Sequence, residues 1–309
     1  MVEPRELYTV AGGPRAGENP VLLHALSGFL DAGSVAQIVT DRLLADAEQE
    51  TVVTFDADRL VDYRARRPRM RFDRDHWAGY EPPHLVVRRV LDADGQPFLL
   101  LTGPEPDRYW DAVAAALVAI VEEFDVRLTV GYQGVPMAVP HTRPIGITAH
   151  GTDPSVLPAG SGTWWDSVDI PGSVGALLEY RLGEAGHPAL GFAVHVPHYL
   201  ASAQFAEGAL HAMESVAGAT GLKLPLQAMV EAAEAEREAI ATEVAESAEV
   251  AGVVTALEQQ YDQFADAAGR SDLPPVRDVD LPSVDELAEQ VEDFLRAHET
   301  GDGPDSDGR

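Results

Sequence analysis

Cysteine is absent from all 309 residues, which rules out disulfides, thiolate zinc sites and cysteine nucleophiles. Basic residues are scarce, with 22 Lys and Arg against 51 Asp and Glu and a formal net charge of −29. So strong a negative field argues against nucleic acid or an anionic membrane as the main partner. No apolar run approaches the ~20 residues that span a bilayer. The start, MVEPRELYTV, lacks the basic and apolar regions of a signal peptide, so a soluble cytoplasmic protein is expected. The histidines form no His-x-x-x-His or His-Glu-x-x-His helix motif, and His195 and His198 lie across a strand exit interrupted by Pro197. Neither metal nor cofactor is expected. There is also no Gly-x-Ser-x-Gly elbow, Walker A loop or dinucleotide fingerprint.

What is present is a core former: 45% of the residues are hydrophobic. VLLHAL (21–26) reads as a buried strand, Gly28 and Gly33 mark a turn, Ser34 is the expected N-cap, and Val35, Ile38, Val39 and Leu43 recur at helical spacing. TVVTF (51–55) is a second strand, and HLVVRRV and PFLLLTG form a hairpin about Asp94-Gly95. Between them Arg59 to Arg74 holds seven arginines in sixteen positions. It reads as a solvated loop, or alternatively as a basic patch for an acidic partner surface. Pro106 suits the first turn of a helix carrying Trp110, Val113, Leu117 and Ile120 on one face. Further strands are read at 127–130, 145–149 and from Ala189, with helices at 173–184 and 201–219. The alternation predicts an α/β fold, a three-layer αβα domain with a mixed sheet over residues 1–224.

From Pro225 the composition changes to Ala and Glu, and residues 231–309 hold 22 acidic and 5 basic residues, a net −17. Residues 225–269 predict one long acidic helix, in which Ile240, Val244, Ala251, Val254 and Tyr261 keep close to a 3.5-residue spacing and Val250, Val253, Leu257 and Phe264 widen the apolar stripe. Residues 270–309 read as a linker, a short helix opened by the capping box Ser283–Glu286, and a disordered acidic tail.

The stretch Gly131–Pro144, GYQGVPMAVPHTRP, reads as a constrained Gly/Pro loop between two strands. Residues at loop edges after strands are the candidates for chemistry, because open α/β sheets bind ligands at the carboxyl ends of their strands. The candidate ligand-binding residues are Gly28, Asp31, Gly33, Glu105, His141, Thr142 and Arg143. Asp31 and His141 are the weak catalytic candidates, as an acid–base pair with Arg143 holding an anion. Against this, Asp31 could cap the following helix, Glu105 could start one, and Arg143 could be an ion-pair partner fixing the loop.

Several stretches together resemble the actinobacterial branch of the proteasome assembly chaperone 2 family. They are SGFLDAGSVA, LTGPEPDRYW, PHTRP, VDIPGSVGALLEYRLGEAGHPALGFAVHVPHYLASAQFAEGAL, ATGLKLPLQAM and ALEQQYDQF, in order over roughly Val21 to Phe264. The resemblance implies a nucleoside-phosphorylase-like fold with a C-terminal helical extension, homo-oligomers and no established catalysis. Relatives of this family assist assembly of the proteasome α-ring, often through a C-terminal hydrophobic-Tyr-any tail. This sequence departs there, ending Asp307-Gly308-Arg309 with no tyrosine after Tyr261. The first expectation is a non-catalytic interaction protein with proteasome subunits as candidate partners. The alternative is a small-molecule binding protein or a hydrolase- or phosphorylase-like enzyme with its site at the strand ends.

Overall fold

The computed structural model describes residues 2–45, 47–159, 161 and 167–268; the expected linker, capping box and tail of 270–309 lie outside them. The elements are β1 (Tyr8–Val10), β2 (Val21–Ser27), α1 (Val35–Ala45), β3 (Gln49–Phe55), the short α2 (Ala57–Leu60), β4 (Met70–Asp73), β5 (His76–Tyr80), β6 (Val86–Leu91), β7 (Pro97–Pro104), α3 (Trp110–Glu123), β8 (Leu128–Met137), β9 (Ile147–Gly151), α4 (Val174–Ala185), β10 (Ala189–Pro197), α5 (Ala206–Thr220), α6 (Leu226–Glu246) and α7 (Ala248–Ala268).

Eight strands form one mixed sheet in the order β1-β3-β6-β7-β2-β8-β10-β9. The central strands β7, β2, β8 and β10 run parallel, while β1, β3, β6 and β9 add antiparallel flanks. Residue alternation along β2 sends Val21 and Leu23 to one face and Leu22 to the other. The first face packs on α1, α5 and α6 through Val35, Val39, Met213, Met229 and Ala233. The second packs on α3 and α4 through Val113, Leu117, Leu178 and Leu182. Burying both faces explains why these strands read as continuous apolar runs rather than alternating ones.

Several local expectations are corrected. The first half of the Gly131–Pro144 stretch is strand, because β8 stays in register with β10 from Thr129↔Ala189 to Met137↔Pro197. Pairing of β8 with β2 ends at His24↔Gly131. The rest of β8 therefore has an open side, where the missing N–H of Pro136 leaves no ladder bond unmade. Helix α3 begins at Trp110, four residues after Pro106, behind a left-handed Tyr109 (φ 61°). Helix α5 begins at Ala206 instead of Ala201, since His198–Leu200 forms a 3₁₀ turn.

The single long helix is two helices. Ser247 is extended (φ −123°, ψ 110°), and its hydroxyl accepts from Val250 N at 3.3 Å, capping α7. An N-cap inside an Ala/Glu run has no Gly or Pro to announce it. Met229 and Ala233 of α6 join the core under the sheet, and Val254, Leu257 and Tyr261 of α7 are buried.

The arginine-rich stretch is also more than a loop. It contains a second, two-stranded sheet, β4–β5, turned at Arg74 with φ 54°. Its register pairs Met70 with Tyr80 and Phe72 with Trp77, with a bulge between. Paired residues share a face, and Met70 and Phe72 are two apart, so all four apolar side chains lie on one side.

Candidate functional site

The chain leaves β2 toward the α1 face, but after β8 and β9 it reaches α4 on the opposite face. Neighbouring parallel strands whose connections depart to opposite faces leave a crevice at their carboxyl ends. A cavity of about 80 Å³ lies there, lined by His24, Asp31, Glu105, Gln133, His150 and Glu179 among others.

Its floor is set by register. His24 of β2 pairs with Gly131 of β8, Gly131 with Gly191 of β10, and Gly191 with His150 of β9. The four form a row across four strands on the α4 side, with two glycines between two histidines. A Cβ on Gly131 would meet His24 Cε1 at 2.6 Å, and one on Gly191 would meet His150 Cε1 at 2.1 Å. Both imidazoles thus lean inward over space that only glycine leaves open. His150 Nδ1 is 3.0 Å from Glu179 Oε1 of α4. Burial lowers His150, but the hydrogen bond and charge of Glu179 raise it by more, leaving its pKa above the usual value. For His24 burial dominates; Glu179 raises it, His150 lowers it, and the result is about 4, so the ring is neutral at pH 7.

The residues singled out from the sequence are each held by a partner of their own. Asp31 accepts from Ala36 N at 2.9 Å, Gln37 N at 3.2 Å and Gly134 N at 3.1 Å, so it caps α1 and ties that cap to β8. This displaces Ser34, which sits in the left-handed region (φ 51°), from the expected capping role. Gly33 has φ 66°, and a Cβ there would meet Phe205 Cβ at 2.6 Å. Gly28 leaves room for the Arg66 guanidinium, which bonds Asp107 at 2.6 Å. Buried Glu105 accepts from Val174 N at 2.7 Å, capping α4 from 69 residues away.

His141 is met by the Tyr199 hydroxyl at its Nδ1 (2.7 Å) and through its own N–H (2.9 Å), and burial lowers its pKa. Thr142 donates to Glu258. Arg143 makes a two-pronged pair with Asp262, 2.7 Å at each prong, and reaches Glu258 at 3.2 Å. No hydrogen bond links Asp31 to His141 or Arg143 among the described residues, and no group of three or more His, Asp or Glu there could hold a metal ion.

A family model, the PAC2 family, matches residues 25–244, which is well over half of the chain. The chain belongs to the PAC2 family. This PAC2 protein is similar to a Mycobacterium tuberculosis protein of unknown function at 42% identity, covering 84% of this chain and 92% of that one with a TM-score of 0.80. A Corynebacterium glutamicum protein of unknown function is 34% identical over 84% of this chain and 98% of its own, also with a TM-score of 0.80. A Mycobacterium tuberculosis proteasome-assembly chaperone homologue shares the fold at 23% identity and a TM-score of 0.69, over 76% of this chain and 99% of that one. No curated protein matches the sequence.

In this PAC2 protein PHTRP is the seat of α7: Thr142, Arg143 and the Pro144 carbonyl all bond that helix. Arg143→Ala is expected to raise amide hydrogen exchange throughout α7 while leaving the global unfolding midpoint nearly unchanged, because exposed ion pairs contribute little to global stability. Protection of α7 equal to wild type would show that the latch does not hold it. The cavity residues His24, His150 and Glu179 were not among the sequence candidates. His24 and Glu179 sit inside a strand and a helix that read as core, His150 falls just past the strand read at 145–149, and the one local signal was a histidine within the otherwise apolar VLLHAL.

Proposed function

We propose that this PAC2 protein is a non-catalytic, cytoplasmic interaction protein of the proteasome assembly chaperone kind, built on a three-layer, nucleoside-phosphorylase-like fold and acting as a homo-oligomer. The observation that carries the reading is the β4–β5 hairpin. Met70, Phe72, Trp77 and Tyr80 lie on one face and are 51%, 56%, 64% and 50% exposed. Together they expose on the order of 400 Å², a patch size that on soluble proteins marks interaction sites. A two-stranded sheet is marginal in water without a packed face. Phe72 and Trp77 meet edge-on at 5.0 Å, which covers only part of it.

Arginines 64, 67, 69, 71 and 74 lie next to these aromatics in the sequence, in a chain of net charge −29. Tyr, Trp and Arg together are the residue types that anchor interfaces. The occupant that fits is a second copy of this chain, whose α6 presents Glu231, Glu234 and Glu238 to solvent. The double variant Phe72→Ser, Trp77→Ser is expected to reduce the oligomer to monomer in light scattering, with unchanged circular dichroism. A wild-type monomer, or an unchanged oligomer in the variant, would remove the hairpin from this role. The chaperone part is tested separately with purified proteasome α-subunits. Binding, or a changed rate of ring assembly, supports it; the absence of both rejects it.

A further inference from the structure

The trough between His24 and His150 has features that the interaction reading does not use. Part of its polar lining is unspent: among the described residues the His24 ring and the Gln133 side-chain amide make no hydrogen bond, and His150 uses only Nδ1. By contrast Asp31 spends both carboxylate oxygens on N–H groups of α1 and β8, and Glu105 spends Oε1 on the Val174 N–H of α4. Among the described residues no lysine or arginine lines the cavity, and His150, whose pKa Glu179 raises, is already paired with that carboxylate, so an anion would find no unpaired counter-charge there. Glu179 engages only Oε1, with His150, and so keeps a carboxylate oxygen to meet a ligand. Neutral His24 adds a ring nitrogen able to accept. The mouth is apolar, with Phe29 and Leu30 at 44% and 40% exposure.

We propose that this trough binds the ammonium end of a small organic amine, with Glu179 and His24 accepting from the ammonium group and Phe29 and Leu30 covering the apolar body. The ammonium carries only donors and the carboxylate only acceptors, so the pairing is complete without a further charge. Gly131 and Gly191 leave room on the floor for the two imidazoles that border such a group. The cavity volume limits the buried part to a few heavy atoms, which makes a primary amine a better fit than a bulky quaternary one. The strand-end position is where sheets of this connectivity form ligand crevices. This inference does not depend on the hairpin or on oligomer formation.

The test is a titration of the full chain with n-butylammonium, butyramide and butyrate, read by NMR of the histidine ring Cε1–H signals and assigned with His24→Gln and His150→Gln. The expected result is a saturable shift of both signals with n-butylammonium alone. Glu179→Gln is expected to weaken that binding about tenfold or more, equivalent to at least about 1.4 kcal/mol. Gly191→Ala, whose Cβ would displace His150, supplies a second variant should the first misfold, and is expected to weaken binding as well. The proposal is overturned if n-butylammonium gives no saturable shift, if the neutral amide or the carboxylate binds equally, or if both variants bind the amine like the wild type.

Discussion

Gly134→Ala is expected to destabilise the protein by about 3–5 kcal/mol, at or beyond the upper end of ordinary overpacking. A Cβ at this position would lie 2.0 Å from the carbonyl oxygen of Ala32 and 3.1 Å from Val35 Cγ2. Relief requires the turn before α1 to move away from β8. That turn is pinned by three N–H bonds to Asp31 and by Gly33 N to Ala201 O and Phe205 N to Gly33 O, both 2.8 Å. Each bond broken costs about 1 kcal/mol, and more where a buried group is left unpaired. Urea unfolding measures the loss, with Gly191→Ala as the comparison. There the obstacle is the side chain of His150, which is 48% exposed and held by one bond to Glu179, so it can swing outward and a loss of about 1 kcal/mol is expected. Equal losses in the two variants would mean that β8 and the turn are not in the close contact described.

Acidification from pH 7 to 4 is expected to cost about 3 kcal/mol for each of two histidines. Burial holds both His24 and His195 at about 4, against an ordinary value of 6.5. His195 is 2% exposed; its Nε2 meets the Thr148 hydroxyl at 2.8 Å, and its Nδ1 has no partner. Protonation would therefore place an unpaired N–H and a charge in the core. Both folded values lie below the unfolded one, so the unfolded chain binds more protons between pH 6.5 and 4. Stability from these groups is complete above about 6.5 and falls as the pH drops through that window. His150, whose folded value is raised, acts in the opposite sense and offsets part of the loss. His195→Gln is expected to flatten the pH dependence of the urea-unfolding free energy by nearly one proton, about 1.4 kcal/mol per pH unit. A slope identical to wild type between pH 6 and 4.5 would show that His195 is not held neutral.

The fold was readable to the extent that its signals are short-range. Strand β2, the Asp94-Gly95 hairpin and the start of α4 near Ser173 follow from apolar runs, turn residues and helical spacing. In the structure Ser173 accepts from Ala176 N at 3.1 Å and caps α4. The β4–β5 hairpin escaped notice because its turn has a left-handed arginine, where such turns favour Gly or Asn. The break at Ser247 escaped because alanine and glutamate on both sides favour helix equally.

The Gly131–Pro144 stretch divides along the same line. Its composition announced a special path and, with the other stretches, the family. Its division into a strand that floors a cavity and a loop that seats α7 depends on how β8 aligns with β10, β2 and a helix more than a hundred residues away. Periodicity, caps and turns act over a few residues, and the chain's letters alone therefore settled most strands of the large sheet, most of the helices and the family. Sheet order and register act between segments far apart. They brought His24, Gly131, Gly191 and His150 into one row, and they turned Asp31, Glu105 and Arg143 from loop residues into caps and a latch.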